Sequence, residues 1–171
     1  MQTYSGRQFW PLDPRADEVF IEDIAQALSM QCRFARHCLQ FYSVAEHSVL
    51  LARHVSPKNR LWALLHDASE AYLVDVPLPV KPFLDGYKQA EASVMAAICD
   101  RFDLPHEMPA EVKTAYSAII GDERTNMAPC VAEWHATGPG IGSELQYWSP
   151  ERAKAEFLML FDKLTARRAA A

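Results

Sequence analysis

The chain has 171 residues, 50% of them hydrophobic and 23% charged, which is enough to bury one ordinary core without cross-links. Its 17 basic residues against 22 acidic ones leave a net charge of -5, so it offers no broad attraction to a nucleic-acid polymer or an anionic membrane, and any phosphate it binds must meet a local basic pocket. Cys32, Cys38, Cys99 and Cys130 form no CxxC pair, and no charged-then-apolar leader opens the chain, so reduced thiols in a cytoplasmic protein are expected. No apolar run approaches a bilayer span and no segment repeats at a fixed period.

One domain over 1–171 is expected, with an irregular start over residues 1–20. Ile21, Ile24, Ala25 and Leu28 recur at helical spacing and predict a short helix. Ser43-Val44-Ala45-Glu46 has the spacing of a capping box, and Val49, Leu50 and Leu51 supply the apolar stripe behind it, which places His47 in the first turns of a helix. Ser56-Pro57 reads as an N-cap with proline at the first helical position; Leu61, Leu64, Leu65 and Ala68 then continue one helix that carries His66, Asp67 and Glu70. Val76-Pro77-Leu78-Pro79 must stop it, leaving Asp75 and Lys81 on either side of a stiff loop.

Beyond Asp85-Gly86 the pattern Val94, Ile98, Phe102 predicts a helix to Leu104, and Val112, Ile119 and Ile120 predict another from Pro109 to about Met127. Ser149-Pro150 repeats the cap-and-proline signal ahead of Phe157, Leu158, Leu160, Phe161 and Leu164. Alternating apolar and polar runs are scarce, so the expected fold is all-α. The Gly/Pro-containing stretch 129–148 reads as a flexible flap.

The chemistry centres on His66-Asp67. Adjacent helical residues point about 100° apart, so both reach one ion only if it lies against that face and other helices complete the shell. His47 is placed to supply a second imidazole. Any one of these histidines alone would read as a hydrogen-bonded core or surface residue, and His37, His54, His106 and His135 keep that reading.

VAEHS at Val44–Ser48, LLHDASE at Leu64–Glu70 and DVPLPVK at Asp75–Lys81, in that order, resemble the HD-domain metal-dependent phosphohydrolases. The likeness is to bacterial 5′-deoxynucleotidases and small deoxynucleotide triphosphohydrolases, and it extends from about Ile21 to Leu164. The resemblance implies a helical bundle with a metal site between its helices, and a divalent ion held there by His47, His66 and Asp67, with open positions for water and a phosphate oxygen. Imidazole with carboxylate suits Zn²⁺, Mn²⁺, Co²⁺ or Fe²⁺. It further implies that Glu70 positions or deprotonates the water and that Asp75 contacts water, leaving group or sugar. Lys81 and Arg33 would hold substrate phosphate, with Phe34 near the base or sugar and Lys113 available to a longer phosphate chain. Against each stands a plainer reading: a solvated helix carboxylate, a turn carboxylate, a surface cation or a core ring.

The chain departs from the family at the fourth ligand. Relatives place an aspartate three residues after a lysine on a later helix, whereas here Lys113 is followed at that distance by Tyr116, whose phenol is normally protonated. Asp122 is the expected replacement, should the helix shift or break at Gly121. Glu123, seven residues beyond Tyr116 and on its face, competes, and a three-ligand or inactive site stays open. The expected function is hydrolysis of the 5′ phosphoester of small nucleotides, mono- or triphosphates and in particular 2′-deoxynucleotides. The alternative is a nucleotide-binding or regulatory module that has lost turnover. The expected partner is a small-molecule nucleotide, not a nucleic-acid polymer or a membrane, and a homo-oligomer is left open.

Overall fold

The Ser43 hydroxyl accepts the N–H of Glu46 at 3.0 Å and fixes the start of helix α2, Val44–His54. The second half of the expected capping box is absent, because the Glu46 carboxylate turns to the other end of the chain and accepts the N–H groups of Gln146, Tyr147 and Trp148 at 2.7–3.0 Å. The computed structural model describes residues 1–130 and 138–169, so part of the expected flap and His135 lie outside the described residues.

The remaining helices are α1 Ile21–Met30, α3 Arg60–Leu65, α4 Glu70–Leu73, α5 Tyr87–Phe102, α6 Ala110–Glu123 and α7 Pro150–Ala169. Short 3₁₀ turns connect several of them, and among the described residues no strand forms, only isolated bridges at Gln2–Gln8 and Cys32–Ser43. The fold is all-α. No described helix is long and apolar enough to cross a membrane.

Helix α2 is buried almost along its length and packs on α1, α3, α6 and α7. Leu28, Leu51, Leu64, Leu65, Ile98, Ile119 and Phe157, drawn from six helices, are fully buried around it. Truncating one of these leucines to alanine costs about 2–5 kcal/mol, a large share of a domain's stability. The histidine-bearing face of α2 is thus held rigidly.

The helix expected to run unbroken from Pro57 past Glu70 is two helices. A tight turn over His66 to Ser69 separates α3 from α4, with the N–H of Ala68 bonded to Leu65 C=O and that of Glu70 to Asp67 C=O, both at 3.0 Å. The His66 ring itself donates from Nδ1 to the Ala63 carbonyl at 2.7 Å, the carbonyl that a continuing helix would bond to the Asp67 N–H. Side-chain competition at this point breaks the α-helical ladder.

The return segment between α6 and α7 is tied at two points. Asp122 accepts N–H groups from Ile141, Gly142 and Ser143 at 2.9–3.3 Å, and Glu46 holds residues 146–148. The stretch expected to be a flap is therefore pinned over its second half, with Leu145 buried.

Candidate metal centre

Three side chains converge where α2 faces the turn between α3 and α4. His47 Nε2 and His66 Nε2 lie 3.2 Å apart, and Asp67 Oδ2 is 3.0 Å from the His66 nitrogen and 3.5 Å from that of His47. All three residues are buried.

The opposite ring nitrogens decide what these atoms are. His47 Nδ1 meets Glu123 Oε1 at 2.6 Å, and His66 Nδ1 meets Ala63 C=O, so each ring carries its proton on Nδ1 and turns an electron pair on Nε2 inward. Burial, with Arg33 nearby, holds His47 below the ordinary imidazole range. Burial opposes ionisation of Asp67, but His66, His47 and Arg33 outweigh it and keep the carboxyl well below its usual range. Asp67 Oδ2 has no hydrogen-bond partner.

Three electron-pair donors facing one another in a buried place require either a shared proton or a cation between them. Metal bonds of about 2.1 Å put neighbouring ligand atoms about 3.0–3.4 Å apart, which matches these separations. His47, His66 and Asp67 therefore form a site with the donors and spacing for a metal ion.

Glu123 is fully buried and holds this arrangement from outside. Burial works against its ionisation, but His47 and Arg33 prevail and keep it down at about 2, so it is a carboxylate that fixes the His47 tautomer. Its second oxygen meets Arg33 Nη2 at 3.3 Å. Arg33 is itself buried, and its Nη1 lies between Asp67 Oδ2 at 3.9 Å and Asp75 Oδ2 at 3.8 Å, too far for direct hydrogen bonds. That end of the guanidinium retains donors for an anion.

Glu70 is buried beside the cluster with one carboxylate oxygen unpartnered. Burial, with Asp67 and Asp75 close by, pushes its carboxyl up to about 10. Burial raises Asp75 as well, although Arg33 pulls in the opposite direction. Lys81 is bonded to Glu91 at 2.7 Å, close enough for its charge to be felt at Glu70 and Asp75. An open cavity of about 590 Å³ begins at Asp75 and runs past Gln31, Cys32, Arg36 and Phe41.

Phe34 has the Arg33 guanidinium 5.3 Å from its ring centre, and it is its neighbours Ala35 and Arg36 that line this space. Phe34, Ala35 and Arg36 all have left-handed backbones, with φ of 54°, 49° and 71°. Such a run of non-glycine residues is strained, and it sets the direction in which Arg33 enters the site. Lys113 is exposed on α6, and among the described residues no ion pair joins it to the cluster.

The structure does not bring Asp122, the expected fourth ligand, to the trio. Helix α6 keeps its register through Gly121, so Tyr116 faces the site, its ring 5.8 Å from that of His47 and 5.2 Å from that of His66. Asp122 points to the other side, where residues 141–143 consume its carboxylate. Burial, with Asp67 nearby, raises the Tyr116 phenol to about 12, so it stays neutral beside the two imidazoles. Glu123 shares Tyr116's face two turns on, and that spacing is the signal that identifies it; its contact is with His47 and not with the ion's position.

No protein-family model matches the chain. It is 40% identical over 127 residues to uncharacterized protein YfdR of Escherichia coli strain K12, an alignment covering 74% of this chain and 71% of the relative. It is also 40% identical over 124 residues to uncharacterized protein RCAP_rcc00048 of Rhodobacter capsulatus, covering 67% of this chain and 63% of that protein, so it spans less than two thirds of the latter's length. With two fifths of the aligned residues identical to those of YfdR across most of both chains, this chain belongs to the YfdR family.

Proposed function

We propose that the protein is a metal-dependent phosphohydrolase of the HD type that cleaves the 5′ phosphoester of small nucleotides, 2′-deoxynucleotides in particular. The observation that carries this reading is the inward-facing trio of His47 Nε2, His66 Nε2 and the unpartnered Asp67 Oδ2, set beside a buried Glu70 and the half-engaged Arg33. The order of the VAEHS, LLHDASE and DVPLPVK motifs supports it by resemblance.

His47, His66 and Asp67 would hold a divalent ion, with Zn²⁺, Mn²⁺, Co²⁺ and Fe²⁺ all suited to the donor set. When bound, such an ion acidifies water and polarises a phosphoryl group. The remaining chemistry falls to this chain's own residues. Arg33 Nη1, loosely placed between Asp67 and Asp75, would donate to a phosphate oxygen, and Lys81 would add a second positive charge across the opening. Glu70, buried beside the trio with one carboxylate oxygen unpartnered, would take a proton from the attacking water once a bound cation offsets the Asp67 and Asp75 charges that hold its carboxyl protonated. The water oxygen bonds to phosphorus as the bond to the 5′ oxygen breaks. The leaving oxygen then needs a proton, and Asp75, at the cavity wall, would supply it.

A second reading, a nucleotide-binding module without turnover, is favoured by one feature: a neutral phenol at Tyr116 where a fourth anionic ligand would sit. One experiment separates the two. The purified chain is assayed for bound metal and, with each divalent ion, for phosphate or polyphosphate release over a panel of ribo- and deoxynucleotides, with product identification. Turnover of deoxynucleotides supports the hydrolase. Nucleotide binding with no product supports the module.

A further inference from the structure

Glu70 opens α4 and Asp75 lies just past its end, and one side chain touches the main chain of both. Gln31, the residue that ends α1, donates from Nε2 to the Glu70 carbonyl at 3.0 Å and accepts the Asp75 N–H on Oε1 at 2.9 Å. Only one orientation of the amide fits this pair, because one partner is an acceptor and the other a donor. The main-chain carbonyl of Gln31 also accepts the N–H of Val44, at the first residue of the helix that carries His47.

Between Glu70 and Asp75 the chain turns through Val74 at φ 69° and ψ 151°. A β-branched residue is a genuine outlier there and persists only when its surroundings hold it. The Val74 N–H bonds back to the Glu70 carbonyl at 2.8 Å, so Gln31 and Val74 share that acceptor and the corner is clamped from both sides.

We propose that Gln31 is a positioning residue, holding the strained Val74 corner so that the Asp75 carboxylate faces Arg33 and the cavity. The catalytic consequence rests on the hydrolase reading, whereas the clamp itself is read without turnover. Gln31→Met keeps the side chain's length and loses both hydrogen bonds. Val74→Gly removes the strain that the clamp opposes.

Amide hydrogen exchange over residues 73–76, metal content and phosphate-release kinetics are compared in the wild type, Gln31→Met, Val74→Gly and the double variant. In Gln31→Met the exchange is expected to rise at least about tenfold and kcat to fall at least about tenfold, with bound metal unchanged and KM moved far less. Adding Val74→Gly is expected to restore much of both, a rescue that general loss of packing would not give. Unchanged exchange in Gln31→Met overturns the clamp, and raised exchange with wild-type kcat overturns the positioning role. If the wild type itself turns over no nucleotide, the hydrolase reading fails, while exchange in the single and double variants still decides the clamp.

A second observation stands apart from the first. Cys32 Sγ and Cys38 Sγ lie 3.3 Å apart, and both thiols line the 590 Å³ cavity, where a small oxidant has access. They bracket the strained left-handed turn that follows Arg33. The geometry points to a reversible disulfide site, closed by a hydroperoxide. The peroxide oxygen transfers to Cys32 to give a sulfenic acid, the remainder leaving as water from hydrogen peroxide or as the alcohol from an organic hydroperoxide, and Cys38 then displaces water as the S–S bond forms. Burial, with Cys32 adjacent, pushes the Cys38 thiol up to about 11, which disfavours its thiolate and leaves the first oxidation to Cys32.

Hydrogen peroxide titration of the full chain, with peptide mapping, tests this. A Cys32–Cys38 cross-link that dithiothreitol reverses, and that Cys38→Ser abolishes in favour of a trappable Cys32 sulfenic acid, is the expected result. Persistence of both thiols, or their separate oxidation beyond sulfenic acid without a cross-link, would overturn it.

Discussion

Glu123 Oε1 stands 2.6 Å from His47 Nδ1, and both side chains are shut off from solvent. The carboxylate fixes which nitrogen of His47 faces Asp67 and, through its other oxygen, anchors Arg33. Glu123→Gln is expected to weaken metal binding about 10–100-fold, the usual effect of removing a carboxylate behind a ligating imidazole. Calorimetric metal titration of the two proteins checks this.

Asp122→Asn is expected to leave metal affinity within about threefold of the wild type, because its carboxylate is spent on residues 141–143. It should instead lower folding stability by about 1–3 kcal/mol, as strong charge-assisted acceptance of backbone N–H groups is lost. Urea unfolding beside the metal titration separates the two effects. A large loss of metal affinity would return Asp122 to the ion.

How much of this was legible in the sequence follows the range of the interactions. Ser43 and Pro150 announce their helices because capping acts within three or four residues, and the apolar pattern puts His47 on a packed helix, whereas His66 and Asp67 lie in the turn after α3 and are legible as an adjacent His-Asp pair within LLHDASE. The break at His66 is not, since it depends on a ring competing for one carbonyl. The direction of Asp122 depends on backbone N–H groups about twenty residues away, and no spacing rule encodes that. Gln31 gives no signal at all, because a lone glutamine at a helix end looks like any other.

Tyr116→Asp should increase metal affinity by about tenfold or more, equivalent to about 1.4 kcal/mol, by placing an anionic oxygen on the face of α6 that already meets both imidazoles. Competition with a chelator of known affinity reads the change. Equal or weaker binding would mean that Tyr116's face is too far away for a ligand.

Glu70→Gln should keep the metal and lower kcat by about 10²–10⁴, the range for a general base. Its pH signature in the metal-free protein follows from the raised carboxyl, about 10 when folded against an ordinary 4.5. Below the ordinary value Glu70 is protonated in both states and costs nothing. As pH climbs between the two values, the unfolded chain gives up a proton that the folded chain keeps, so stability falls. Urea midpoints of chelator-treated wild type should therefore decline relative to Glu70→Gln between about pH 5 and pH 9. Parallel midpoints would place Glu70 in water.

The most direct measurement is the number of divalent ions held per chain after metal loading and exhaustive dialysis, read by elemental analysis for the wild type, His66→Ala, Asp67→Ala and Asp122→Asn. Near-stoichiometric metal is expected in the wild type and Asp122→Asn, with little in His66→Ala and Asp67→Ala, because each of those two loses an atom of the converging trio. Full occupancy in both His66→Ala and Asp67→Ala, or none in the wild type, would contradict the site.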